Sequence, residues 1–449
     1  MPKNRNMMNT RKQSLVFSLI IIAVLYFIFG FVTWLNGTLI PFLKTACQLN
    51  NFLAYFVTFS FYIAYFVTAL PSSVILQKIG FKNGIVLGLF VMTIGSALFL
   101  PAAYIRSYIL FLIGLFVMGT GLSIMQTAVN PYVTILGPIE SAARRISIMG
   151  MCNKLAGIIA PIILATFLLK GAENIYTEIS TCVNSFELNA LLDELALRLI
   201  KPYLAMTIIL AGLTILMFFV YLPEVNHEEE SKTTSTTILN YPHLWFGVVA
   251  LFFYVGVEVI AGDTIIRYGE SLGIAMESAQ YFTSITLITM LIGYFIGIIV
   301  IPRFINQRIA LLICSILGII FTLLAIFVPT EAQFSFPFIN ITNFESITMT
   351  IPYTVFFVAM LGLANSLVWP AIWPLSLDGV GHHEKIGSAL LIMAIAGGAL
   401  LPLVYGYFSD IMGTQNAYFI AIICYIVIMA FALFGYKLGK NKNHEVDKN

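Results

Sequence analysis

Long apolar runs, each ended by a short polar or Gly/Pro-bearing stretch, recur along the whole chain of 449 residues. A membrane-spanning helix needs roughly 20 predominantly apolar residues. Twelve runs meet that length, near 14–42, 51–77, 84–103, 107–135, 146–170, 201–222, 243–267, 278–301, 309–328, 350–378, 386–406 and 416–437. The pattern predicts an all-α membrane protein of twelve transmembrane helices. An even number of crossings puts both termini on one side. The first run follows "MPKNRNMMNTRK" without a small-residue cleavage site, so it reads as a retained helix rather than a removed signal peptide.

Composition agrees with this class. The chain is 59% hydrophobic and 10% charged, where soluble domains carry about 25% charged residues. A net charge of +2 gives no reason to expect nucleic acid. The Lys and Arg residues orient the helices. With the N-terminus inside, sixteen fall on the cytoplasmic side and six (Lys44, Arg106, Lys170, Arg198, Lys201, Arg267) on the other, leaving Lys154 within a span. Both termini are therefore expected in the cytoplasm of a cell with this protein in its inner (plasma) membrane. Residues 223–242, charged and Thr/Ser-rich, read as a cytoplasmic linker between units 1–222 and 243–449. "FELNALLDELALRLI", after the fifth run, has the spacing of an amphipathic helix at the outer surface with a solvated acidic face. Five cysteines show no metal spacing. Cys47 and Cys182 both fall in outer loops, where a disulfide is one option.

The chain resembles itself. At an offset of 226, "GFVTWLNGTLIPF" lies over "GVEVIAGDTIIRY", matching Gly30 with Gly256, Thr38 with Thr264 and Ile40 with Ile266. "AGIIAP" lies over "GGALLP" in spans five and eleven, and Asn130-Pro131 over Trp373-Pro374 in spans four and ten. Three matches in the same chain order point to a duplicated six-helix unit, giving two pseudo-symmetric six-helix bundles. Secondary transporters of one large class have this architecture, with the site near the midplane.

Polar residues within the spans mark that site. Span one holds Trp34 and Asn36, span four Gln126 and Asn130, span five Asn153, and span ten Asn365, Trp369 and Trp373. Amides beside aromatic faces suit a sugar, whose hydroxyls need donors and acceptors and whose C–H faces pack on rings. The competing account is that amides join helices and Trp fills core. Lys154, Glu258 and Asp263 weigh more, because charge inside a bilayer costs roughly 2.5–3.5 kcal/mol per residue even on insertion scales. They are the cation-coupling candidates, with Asp263 a candidate sodium ligand. A static pair between Lys154 and either acid is the structural alternative.

At "TWLNGTLIP", "GLSIMQTAVNPYVTILGP", "YVGVEVIAGDTI" and "WPAIWPLSLDGVG…GSALLIMAIAGGALLP" the chain resembles the fucose permease family of the major facilitator superfamily, and within it the glucose/galactose transporter branch. The resemblance implies alternating access and cation-driven sugar uptake; related members take N-acetylglucosamine or fucose. Proton-coupled fucose permeases carry an acid after the Leu-Asn of span one and a Glu before the Thr-Ala-x-Asn-Pro of span four. Here those places are Gly37 and Gln126, neither of which titrates. In the loop between spans two and three Gly80 and Lys82 remain, but the usual acid is Gln77.

The expected function is cation-coupled symport of a neutral hexose, with sodium favoured over protons as the coupling ion and no other cofactor. The expected partners are the sugar, the cation and membrane lipid, with the protein a monomer. The alternatives are an N-acetylglucosamine or fucose symporter, or a polytopic membrane transferase. An enzyme of that kind wants clustered His or paired carboxylates at a membrane face, and the spans contain neither.

Overall fold

The computed structural model describes residues 19–135, 142–169, 175, 178–179, 181–182, 184–220, 238–301, 303–340, 345–380 and 384–439. Twelve helical segments in it are long and apolar enough to cross a membrane. Numbered as spans one to twelve, they are Leu19–Ala46, Phe56–Leu76, Lys78–Tyr104, Tyr108–Asn130, Ile148–Leu168, Ser185–Phe219, Pro242–Asp263, Phe282–Val300, Gln307–Phe327, Tyr353–Leu377, Ile386–Met412 and Asn416–Lys437. The end at which span one begins is called the near end here, and its opposite the far end. Residues 221–237 of the expected linker region, both tails and the side chain of Gln77 lie outside what is described.

Span nine illustrates how the helices pack. Ile309, Ile313, Ile316, Ile320, Leu323 and Phe327 are exposed at steps of three and four, making one stripe. Ala310, Leu311, Cys314, Ser315, Gly318, Thr322 and Ala325 are buried on the opposite face, all of them small but Leu311. Lipid tails are as apolar as Leu, so large alkyl side chains gain nothing by turning inward, whereas small ones let backbones approach. At Gly318 a Cβ would lie 2.3 Å from the Tyr425 ring of span twelve. The Ser315 and Thr322 hydroxyls donate back to the Leu311 and Gly318 carbonyls, so neither is left unbonded in an apolar setting.

The most extensive contacts between the first six spans and the last six fall in two sets. Span two runs along span eleven, and span five packs against span eight, where Ser284 Oγ donates to the Ile158 carbonyl at 2.6 Å. Spans one and seven are both interrupted towards the far end. The helix of span one resumes at Asn36–Ala46 after Leu35. That of span seven stops at Asp263 and resumes after Thr264 as Ile265–Ser271. Between spans two and three the chain reverses at Gly80, whose φ of 77° lies in the left-handed region that glycine tolerates.

Two features differ from expectation, and the option of a disulfide between Cys47 and Cys182 is not taken up. The amphipathic helix Ser185–Leu197 forms but leads almost directly into Ile200–Phe219, so the two make one long segment. Its Leu192, Leu195 and Ala196 are buried, and Asp193 meets Arg106 at 3.2 Å rather than water alone. A β-hairpin stands between spans nine and ten: β1 (Gln333–Asn340) pairs antiparallel with β2 (Glu345–Pro352), from Gln333 opposite Pro352 to Asn340 opposite Glu345. Alternation in "QFSFPFIN" and "ESITMTIP" is the signal that could have found it. Finally, Cys47 and Cys182 are free thiols. Burial lifts the Cys47 thiol to about 11, against the lowering influence of Arg106.

Candidate functional site

The residues singled out within the spans fall into three clusters. In the first, Tyr26 of span one donates from its hydroxyl to Asn130 Oδ1 at 2.6 Å, while Asn153 Nδ2 reaches the Tyr26 carbonyl at 3.5 Å. Gln126 Nε2 donates to the Tyr65 hydroxyl at 3.1 Å. Four helices thus meet around amides. Gln126, Asn130 and Asn153 are half-buried, so the group is not sealed.

The second cluster is built on an ion pair. Lys154 Nζ of span five lies 2.5 Å from Glu258 Oε1 of span seven, with side chains 11% and 12% exposed. Of the two acids open to Lys154, Glu258 is therefore its partner. The ammonium also sits 4.8 Å from the centroid of the Trp34 ring, a cation–π contact worth on the order of 0.5–2 kcal/mol. Glycines frame that indole. A Cβ at Gly157 would lie 2.3 Å from Trp34 Cδ1, and one at Gly262 2.2 Å from Cζ3. Trp34 Nε1 is buried without an acceptor. One turn before Glu258 on span seven, Tyr254 approaches the Trp369 ring at 6.3 Å. Trp369 and Trp373 stack at 5.3 Å with 23° between planes. Their spacing of four residues on one helix is what lets these rings face each other.

The third cluster surrounds Asp263. Its relative exposure is 0%, and neither carboxylate oxygen has a hydrogen-bond partner. Gly37 packs against the same turn: a Cβ there would lie 2.8 Å from Thr283 Oγ1, 3.4 Å from the Gly262 carbonyl and 3.6 Å from Asp263 Cα. Thr283 Oγ1 donates to that carbonyl at 2.6 Å. Next to Gly37, the Asn36 Nδ2 and Thr38 Oγ1 atoms are likewise buried and unpartnered. Asn365 stands apart from the three clusters, accepting from the Tyr425 hydroxyl at 2.9 Å with its Nδ2 unpaired.

The sequence reading missed the tyrosines that hold these groups, namely Tyr26, Tyr65, Tyr254 and Tyr425, as well as Thr283. Among 21 tyrosines, most in apolar runs, no local pattern separates them from packing residues. Outside the spans, burial raises the Glu270 carboxyl above its ordinary range, opposed by the Arg267 guanidinium 3.3 Å away. No group of three or more His, Cys, Asp or Glu among the described residues could hold a metal ion.

Twelve crossing helices, with an ion pair bridging the first six and the last six and amide side chains bonded within each set, fit a secondary transporter. Residues 22–388 match the Major Facilitator Superfamily, and the chain belongs to that superfamily. It is 34% identical over 426 residues to a glucose/galactose transporter of Brucella abortus biovar 1 (strain 9-941), covering 94% of each chain. It is 28% identical over 441 residues to the L-fucose-proton symporter of Escherichia coli (strain K12), covering 96% of each. Among solved structures it is similar to the transporter FucP in the outward conformation, with a TM-score of 0.68 and 27% identity over 94% of this chain and 99% of that one. The protein is accordingly a transporter and not an enzyme.

Proposed function

We propose that this chain carries a neutral hexose of glucose or galactose type across the inner membrane by cation-coupled symport, with both termini in the cytoplasm. Two six-helix units, residues 1–222 and 243–449 joined by 223–242, alternate about the span two–eleven and five–eight contacts. The observation that carries the coupling reading is Asp263, fully buried with both oxygens unpartnered. An ionised carboxylate in that setting is costly unless a cation or proton meets it. Sodium is favoured because Gly37 and Gln126 are neutral, and because a helix break beside a carboxylate is the kind of backbone on which hard cations are held in transporters. The names of the relatives support the sugar reading, as do the amide and indole groups of the first two clusters. Trp34, Asn36, Gln126, Asn130, Asn153, Asn365, Trp369 and Trp373 are the proposed sugar-binding residues, with Lys154, Glu258 and Asp263 serving coupling.

The experiment is uptake of radiolabelled glucose, galactose, N-acetylglucosamine and L-fucose into proteoliposomes, with and without a sodium gradient at fixed pH. Sodium-driven accumulation of glucose or galactose is the expected result. Accumulation driven equally well by a proton gradient without sodium would overturn the choice of ion. Failure of every sugar to accumulate under either gradient would overturn the symport reading.

A further inference from the structure

The far end of the molecule is closed by polar contacts outside the three clusters, and Asn51 is their centre. Its Oδ1 accepts from Lys44 Nζ at 2.7 Å and from Arg267 Nε at 3.1 Å. Its Nδ2 donates to Asp410 Oδ1, and the adjacent Phe52 N–H donates to Asp410 Oδ2 at 2.9 Å. Lys44, Asn51 and Phe52 belong to the end of span one and the turn leading into span two. Arg267 follows span seven, and Asp410 is in the last turn of span eleven. A single amide therefore ties two cations to one carboxylate, and the first six spans to the last six.

The closure continues inward. The Tyr55 and Tyr405 rings meet edge to face at 5.8 Å. Gly406 makes room for that meeting, since a Cβ there would lie 2.2 Å from the Tyr55 ring. One further layer down, Gly37 packs on Gly262 and Asp263. The amide satisfies all its partners at once, because it donates to the acid while accepting from the bases. A carboxylate at position 51 would confront Asp410 across hydrogen-bonding distance and repel it. Half-exposed contacts of this kind are individually weak because solvent screens them. A closure that must open in each cycle needs that property.

We propose that Asn51 is the pivot of a polar latch that holds the far end shut, and that releasing it is required for that end to open. The latch rests on the alternating-access reading, but its test reads a distance and does not depend on which sugar or ion is carried. Spin labels are introduced by Tyr104→Cys and Glu331→Cys, at exposed far-end positions on either side of the closure, in the full chain with its five native cysteines replaced. Distances are measured by double electron–electron resonance in lipid nanodiscs.

A short-distance population is expected to dominate with Asn51 present. Asn51→Asp and Asn51→Ala should each shift the distribution to a longer distance. Adding Asp410→Asn to Asn51→Asp should restore the short one. In that double variant the amide at position 410 donates to the carboxylate at position 51, and its oxygen still accepts from the Phe52 N–H. Should Asn51→Asp fail to fold, Asn51→Gln, one methylene longer, replaces it and should shift the same way. Unchanged distributions in the single variants would overturn the latch. So would a double variant as open as Asn51→Asp alone, since local damage rather than lost pairing would then explain the shift. A distribution that keeps one distance in every variant, whatever sugar or ion is added, would instead count against alternating access at this end.

Discussion

Span one and span seven lie over each other in the repeated pattern, and they diverge within one turn. Both are interrupted towards the far end, at Leu35 and at Thr264. At the interruption span one presents Gly37 and span seven presents Asp263, and the backbones lie so close that a Cβ on Gly37 would reach the Gly262 carbonyl and Asp263 Cα at contact distance. Only span seven carries acids, at Glu258 and Asp263. Glu258 has a cation beside it and Asp263 has none. The difference teaches that one acid at this level requires a small residue opposite. Two carboxylates facing each other there would share a single dry site, and one would lose its charge. Glycine in span one lets span seven come close enough to bury its acid completely.

Changing the acid should break this asymmetry most severely. Asp263→Asn is expected to abolish gradient-driven sugar accumulation in proteoliposomes while leaving counterflow exchange in place. Accumulation at the level of the unmodified protein would refute a coupling role for Asp263. Next in size is the paired acid. Removing one member of a buried ion pair leaves the other uncompensated, at a cost of about 3–5 kcal/mol. Lys154→Met and Glu258→Met should therefore each lower the unfolding midpoint in detergent, and the double variant should be more stable than either. A double variant that loses the sum of both would show that the two residues act separately.

A smaller effect is expected on the glycine side of the comparison. Gly37→Ala inserts a methyl into a filled gap, where overpacking costs on the order of 1–3 kcal/mol. It should slow exchange and accumulation together, unlike Asp263→Asn, and equal rates in both assays to the unmodified protein would mean that the contact relaxes freely. The smallest effect is expected at the amides. Gln126→Ala and Asn130→Ala should each weaken sugar binding by about 1–2 kcal/mol, the scale of a lost hydrogen bond. Unchanged affinity in both, measured by isothermal calorimetry, would move the site away from span four.

How much of this the sequence reveals depends on the physical origin of each feature. The twelve spans were legible because the bilayer imposes a length and a polarity that no local context overrides. The Asp263–Gly37 contact was half legible: the repeat laid one position over the other, and positions related by a two-fold meet when they lie near its axis. The choice of Glu258 over Asp263 as the partner of Lys154 was not. It depends on how spans five and seven are rotated against each other, which no counting along either helix supplies. The tyrosine partners were hidden for a similar reason. Tyr26 binds Asn130 from 104 positions away, and Tyr425 binds Asn365 from 60. The hairpin was missed because a short alternating stretch between apolar runs gives a far weaker signal than a span. The free state of Cys47 and Cys182 depends on loop geometry that spacing does not constrain.

The hairpin has a use unrelated to transport. Phe334 anchors it, packing on Tyr353 at 4.9 Å and on Phe356 at 5.6 Å, while Ser335 and Thr350 bond to each other on its exposed face. A detergent-wrapped bundle of this kind offers few landmarks for aligning particle images. Replacing residues 341–344, between the two strands, with a small soluble domain would add recognisable mass on a two-point mount. The graft would leave every span, and every residue of the three clusters, as it is.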